Sequence, residues 1–184
     1  MNIFVLSESP KESALMMIDK HVIKMPTESM QMVSTNLNYL GIDSPYKPVM
    51  LNHPCTIWSR TNRNNAKWLV NHCKYLCQEY TKRYSKIHRI EELLEEYSEQ
   101  IQMMFNTLPD EELTPFAQAM PDKYRNGDAV KAYRQYYLSD KWNIASWKCE
   151  MPSWWPNNHI LKKKQERIIK FNKQFNANIP LPTV

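Results

Sequence analysis

The stretch Asp19-Lys20-His21-Val22-Ile23-Lys24-Met25-Pro26-Thr27-Glu28-Ser29-Met30-Gln31 decides how this chain is read, because at helical pitch it separates into two adjoining stripes of opposite chemistry. His21, Lys24, Glu28 and Gln31 recur at steps of three and four, and Leu15, Ile18, Val22, Met25, Ser29 and Met32 do the same on the neighbouring edge. One edge packs and the next offers a base, a cation, a carboxylate and an amide, the set that a cleft wall needs for acid–base work or for holding phosphate. The competing reading is a solvated helix, with Lys24 and Glu28 as an ordinary i,i+4 pair. Pro26 weighs toward function, since inside a helix it removes a backbone hydrogen bond at a cost of roughly 3 kcal/mol or more. Either it bends the polar stripe, or it opens a second helix and breaks the stripe in two.

Outward from this stretch the pattern stays helical. Only two of the 184 residues are glycine, so tight hairpins and glycine-rich phosphate loops are not expected, and no P-loop or dinucleotide fingerprint is present. The twelve prolines fall mainly between periodic segments. Helices are expected over 11–25 and 27–40, then a Pro-rich link at 43–54, a long helix over 56–84, an acidic helix near 90–106, a proline-punctuated loop, a helix over 128–148 that Asp128 would cap, and a basic helix near 158–175. The opening Met1-Asn2-Ile3-Phe4-Val5-Leu6 reads as a short buried strand or extended segment and lacks the features of a signal peptide. The fold class is therefore mostly α: one helical-bundle domain over 1–155, a short extended N-terminal segment, and a basic helix and tail over 156–184.

Charge and cysteine usage narrow the partners. The net charge is +5, and residues 156–184 carry all of it: Lys162, Lys163, Lys164, Arg167, Lys170 and Lys173 stand against Glu166 alone. With Ile160, Leu161, Ile168 and Ile169 between the charges, this helix could lie on nucleic acid or dock on the core as an amphipathic helix. Glu91 to Glu112 has no basic residue and should face away from any polyanion. No apolar run is long enough for a membrane span, and a cytoplasmic location is expected, that of a host cell if the protein is viral. Cys73 and Cys77 sit one turn apart beside His72; buried reduced thiols are the favoured reading over a metal site, and no cofactor is implied.

Three further groups have functional readings. Asn52-His53-Pro54-Cys55, with Trp58 and Arg60, opens a helix whose free N–H groups favour an anion, or else supplies an N-cap. Arg83, Tyr84 and His88, with Tyr80, mix rings and cations at a helix end, where they could stack a base or pack and cap. The segment Thr114-Pro115-Phe116-Ala117-Gln118-Ala119-Met120-Pro121-Asp122 is too apolar for a solvated loop and could fold over a pocket, presenting Phe116, Gln118 and Asp122. Tyr133 and Arg134 follow with Tyr136 and Tyr137; rings beside a guanidinium suit a nucleobase, although aromatic residues at helical spacing are more often core, the favoured reading for Tyr133 with Tyr137.

These segments resemble a family of small proteins of tailed bacteriophages and large DNA viruses. The likeness runs through residues 1–155, by way of Asn2-Ile3-Phe4-Val5-Leu6, Asp19-Lys20-His21-Val22-x-Lys24-Met25, Asn52-His53-Pro54-Cys55 with Trp58, Glu79-Tyr80-x-x-Arg83-Tyr84 with His88, the 114–122 segment and Ala132-Tyr133-Arg134-x-Tyr136-Tyr137. A fainter likeness covers about half the chain: the order Lys–Glu–Gln on one helix, followed by Asn-His-Pro and Trp, is similar to pyrimidine-dimer DNA glycosylases. That resemblance implies a base-processing site around Lys24, Glu28, Gln31, Asn52, His53, Pro54 and Trp58. The phage dimer glycosylase uses an N-terminal amine exposed by Met removal, whereas the bulky Asn2 would leave Met1 in place; here the sequence departs from the pattern.

The resulting expectation is an enzyme acting on DNA or a nucleotide at or near an N-glycosidic bond. Glu28 would be the general base or the carboxylate that stabilises positive charge on the sugar, His21 or His53 would protonate or orient, and Lys24 and Arg60 would hold phosphate. The alternatives are a non-enzymatic factor that binds DNA or a host protein through the basic helix, and a pocket that captures a free nucleotide.

Overall fold

The computed structural model describes residues 1–180, and within α8 it leaves out the side chains of 157–162, so the expectations for Ile160, Leu161 and Lys162 lie outside the described residues. Among the described residues there are eight α-helices and no strand. The mostly α reading is correct; Ile3 to Leu6 are buried but form neither a strand nor a regular extended segment, since Phe4 has φ 39°.

The first helix, α1 (Pro10–Met16), begins with Pro10 in its first turn and Ser9 accepting the Glu12 N–H. The break that follows is at Met17 and Ile18, both extended, and not at Pro26. Arg83 holds the break open: its guanidinium donates to the carbonyls of Leu15 and Met17, both at 2.8 Å, and pairs with Asp19 at 3.2 Å. The freed carbonyls of the α1 terminus are thus satisfied by a side chain from another helix. Leu15 consequently belongs to α1 and is exposed, contrary to its place in the expected apolar stripe.

The second helix, α2 (Asp19–Tyr39), runs unbroken through Pro26. Of the two readings of that proline, the continuous stripe is the one realised. Ile18, Val22, Met25, Ser29 and Met32 are buried as the pattern requires. The expected long helix over 56–84 is two helices, α3 (Pro54–Ser59) and α4 (Arg63–Tyr84), because the Asn62 side chain accepts the Asn65 N–H and starts a new helix there. Helix α4 packs along α1 and α2, with Leu69, Cys73 and Leu76 buried.

The acidic segment is likewise two helices, α5 (Arg89–Glu96) and α6 (Ser98–Thr107). The loop beyond α6 is stapled to α4: Asn65 donates to Thr114 Oγ1 at 2.7 Å and accepts the Thr114 N–H at 3.0 Å, while Asn62 donates to the Glu112 carbonyl. Asp128 caps α7 (Ala129–Tyr136), as expected. The helix does not reach residue 148. It widens into a π turn over Tyr137–Lys141 and ends in a 3-10 turn at Trp142–Ile144. Finally α8 (Asn157–Phe175) carries exposed Ile169, Phe171 and Phe175 beside its cations.

Candidate active site

Helix α2 brings Lys24 and Glu28 onto one face, and their side chains meet at 2.7 Å. Lys24 remains largely in solvent, while the Glu28 side chain is only 12% exposed. The second carboxylate oxygen of Glu28 faces a group that the polar stripe does not contain, the α-amine of Met1, at 3.8 Å. The carboxylate is thus shared between an exposed surface cation and the primary amine of the terminus.

His53 belongs to the same neighbourhood. Its pKa is lowered from the usual histidine value, first by burial and then by the positive charge of the Met1 amine, with the Glu28 carboxylate acting in the opposite direction. As the N-cap of α3 it accepts the Cys55 N–H at Nδ1, 3.2 Å away, so the neutral ring carries its proton on Nε2. The capping alternative is therefore realised, and it leaves Nε2–H for a ligand. Asn52 is exposed beside it, and Gln31 lies half-buried one turn beyond Glu28.

His21, the first residue of the stripe, faces inward. Phe4 stacks on its ring with centroids 4.3 Å apart, and Nδ1 meets the Tyr137 hydroxyl. Burial, followed by the charges of Lys141 and Lys24, lowers its pKa to about 3. The imidazole is thus packed among the rings of Phe4 and Tyr137, where burial favours its neutral form. Lys141 stands 4.8 Å from the centre of the neighbouring Tyr136 ring.

Several expected binding residues have partners within the protein. Arg83 is buried in its clamp on Asp19, Glu79 and two carbonyls, and phosphate cannot reach it. His88 caps α5 through Nδ1 and meets the Ile23 carbonyl through Nε2 at 3.1 Å; Tyr84 packs beside Tyr80 under Lys148. Trp58 is buried in an aromatic column with Trp68 and Phe116. Tyr133 is fully buried, and Arg134 donates to the Leu6 carbonyl at 2.9 Å with its guanidinium over Trp154. Arg60 ties the Leu51 carbonyl down at 2.8 Å and covers Tyr39.

Phe116 and Gln118 do line a cleft, of about 520 Å³, with Glu8 and the start of α7, but none of the residues around Glu28 contributes to it. Gln118 is occupied by Asn126, and Asp122 by Arg125 on the surface. Cys55, Cys73 and Cys77 are buried free thiols. Among the described residues no group of three or more His, Cys, Asp or Glu could hold a metal, and no helix is long and apolar enough to cross a membrane.

The stripe on α2 thus brings Lys24 to Glu28, and the Asn-His-Pro entry of α3 sets His53 within reach of their charges. The approach of the Met1 amine to Glu28 was not anticipated from the sequence.

The family model described as pyrimidine dimer DNA glycosylase matches residues 1–93, the span that holds Met1, Lys24, Glu28 and His53. No curated protein and no solved structure matches the chain.

Proposed function

The chain belongs to the pyrimidine dimer DNA glycosylase family, and on that premise we propose that it cleaves the N-glycosidic bond of a damaged or modified pyrimidine in DNA, with the α-amine of Met1 as nucleophile and Glu28 as its base. The observation that carries this reading is the amine standing 3.8 Å from the Glu28 carboxylate, whose side chain is largely buried. A primary amine attacks only when unprotonated, and a carboxylate at that range can take its proton as the attack begins. The amine nitrogen bonds to C1′, the bond from C1′ to the base breaks, and the base leaves with the bonding pair and takes up a proton. Opening of the sugar ring then gives an imine, which water can hydrolyse to an abasic site with release of the amine.

The other residues have supporting roles in this scheme. Lys24 keeps Glu28 in place from the solvent side and, being mostly exposed, can also hold a flanking phosphate. The Nε2–H of His53 and the amides of Asn52 and Gln31 can donate to the departing base or to the backbone. In this scheme the departure from the family pattern at Asn2 changes which residue supplies the amine and leaves the chemistry intact.

The test is to incubate the protein with ultraviolet-irradiated and undamaged duplexes and to follow glycosidic cleavage by mass spectrometry. Cleavage confined to the damaged duplex is expected, and damaged duplexes that remain intact would contradict the proposal.

A second reading, binding without catalysis, is favoured by one feature: α8 presents Lys164, Arg167, Lys170 and Lys173 to solvent beside exposed Ile169, Phe171 and Phe175. Such a helix suits a polyanion or a partner protein whether or not the Glu28 site turns over.

A further inference from the structure

Asn2 is buried, and its amide is used on both sides. Oδ1 accepts the N–H groups of Ile3 and Phe4 at 2.8 and 3.0 Å, which bends the chain immediately after the terminus. Nδ2 donates to the Ala119 carbonyl at 2.7 Å. That carbonyl belongs to the loop between α6 and α7, where Tyr133 holds the backbone in place: its hydroxyl donates to the Ala117 carbonyl at 2.9 Å and accepts the Ala119 N–H at 3.1 Å.

The next residue but one is also constrained. Phe4 has φ 39°, a conformation that a side chain other than glycine rarely adopts. Its ring is enclosed by His21 at 4.3 Å, Tyr137 at 5.5 Å and Tyr133 at 5.9 Å. Chain termini are ordinarily the least ordered part of a domain. Here the first four residues are bent, cinched and packed, and the outcome is an amine facing Glu28.

We infer that Asn2 is the positioning residue for the Met1 amine, and that Ala119 and Tyr133, which lie outside the span matched by the family model, supply its anchor. The inference rests on the proposed role of that amine. It also specifies what residue 2 must provide: an acceptor for two N–H groups, a donor for one carbonyl, and enough bulk for Met1 to be retained. Serine, threonine or alanine would fail the last requirement, leucine fails the first two, and aspartate loses only the donor.

The experiment compares wild type with Asn2→Leu, Asn2→Asp and Tyr133→Phe, each checked by intact mass for Met1 and by circular dichroism for fold. The first readout needs no DNA: the rate of trace acetylation of the Met1 amine at one pH, with and without Glu28→Gln. The inference expects the wild-type rate to change when Glu28 is replaced and the Asn2→Leu rate to be indifferent to that replacement. The second readout is turnover of damaged DNA, where Asn2→Leu should lose roughly tenfold to a hundredfold in kcat with KM little changed. Asn2→Asp should recover part of that loss, and Tyr133→Phe should show a smaller one.

A folded Asn2→Leu protein whose amine still responds to Glu28, or whose kcat equals wild type, overturns the inference. If Asn2→Leu does not fold, Asn2→Asp and Tyr133→Phe decide by the same two readouts. A Glu28-coupled, Asn2-dependent amine in a wild-type protein that cleaves no damaged DNA would remove the glycosylase reading and leave the positioning of the amine standing.

Discussion

The α-amine of Met1 stands 3.8 Å from Oε2 of Glu28, while Oε1 of the same carboxylate lies 2.7 Å from the Lys24 ammonium. One side chain thus joins the terminus, bent back by Asn2, to the polar stripe of α2. The carboxylate faces an amine on its sheltered side and a solvent-borne cation on the other. That division suits a base which must take a proton from one partner while the second keeps it charged.

Replacing Glu28 by Gln keeps the shape of the side chain and removes its capacity as a base. Turnover should fall by about 10²- to 10⁴-fold with DNA affinity nearly preserved. Single-turnover kinetics alongside equilibrium binding will separate the two effects, and equal losses in both would mean that Glu28 serves binding alone.

Arg83 should matter for folding and not for DNA. Substituting Met leaves the buried Asp19 carboxylate without its cation and the Leu15 and Met17 carbonyls without their donor. A loss of about 3–5 kcal/mol is expected in denaturant unfolding, with affinity unchanged at temperatures where the variant is folded. Weakened DNA binding at full stability would instead restore Arg83 to the base-stacking, substrate-binding role considered from sequence.

Acid should destabilise the protein earlier than carboxylates alone would predict. Burial lowers the pKa of both His21 and His72 from 6.5 to about 3, so in the folded state each stays neutral where the unfolded chain takes up a proton. The stability they contribute is present above pH 6.5 and is lost as pH falls toward 3, by up to about 1.4 kcal/mol per pH unit for each group. Unfolding free energies measured between pH 6.5 and 4.5 should fall along this slope, and the slope should drop by about half in His72→Phe. An unchanged slope in that variant would exclude His72 as a source.

If α8 lies along DNA, replacing Lys164, Arg167, Lys170 and Lys173 by Gln should weaken binding and flatten its salt dependence. The slope of log affinity against log salt should change by roughly 0.9 for each phosphate that the variant no longer neutralises. The same slope in both proteins would mean that the exposed apolar residues of α8, Ile169, Phe171 and Phe175, face something other than nucleic acid.

The helical periods were legible because the apolar residues of α2 and α4 keep their spacing whatever surrounds them. The breaks were harder to read. Pro26 is the strongest breaker in the sequence, yet α2 continues through it, while the actual break at Met17 depends on Arg83, more than sixty positions away. No local pattern carries that information. The same separation left Arg83 open between stacking a base and packing: a ring beside a guanidinium has one composition in either case, and it is the burial of Arg83 against Asp19 that distinguishes them. Lys24, Glu28 and His53 were recognisable because a polar stripe on an amphipathic helix and a rigid Asn-His-Pro entry are local features. The amine was not, since its approach to Glu28 depends on Asn2 reaching Ala119 far along the chain.

The most direct measurement is borohydride trapping. The protein would be incubated with a duplex bearing a single pyrimidine dimer in the presence of borohydride, then digested and mapped by mass spectrometry. A covalent adduct on the Met1 amine, absent with undamaged DNA and abolished when that amine is acetylated beforehand, is the predicted result. Cleavage of the damaged duplex with no adduct on Met1, or with an adduct on Lys24 instead, would contradict the account.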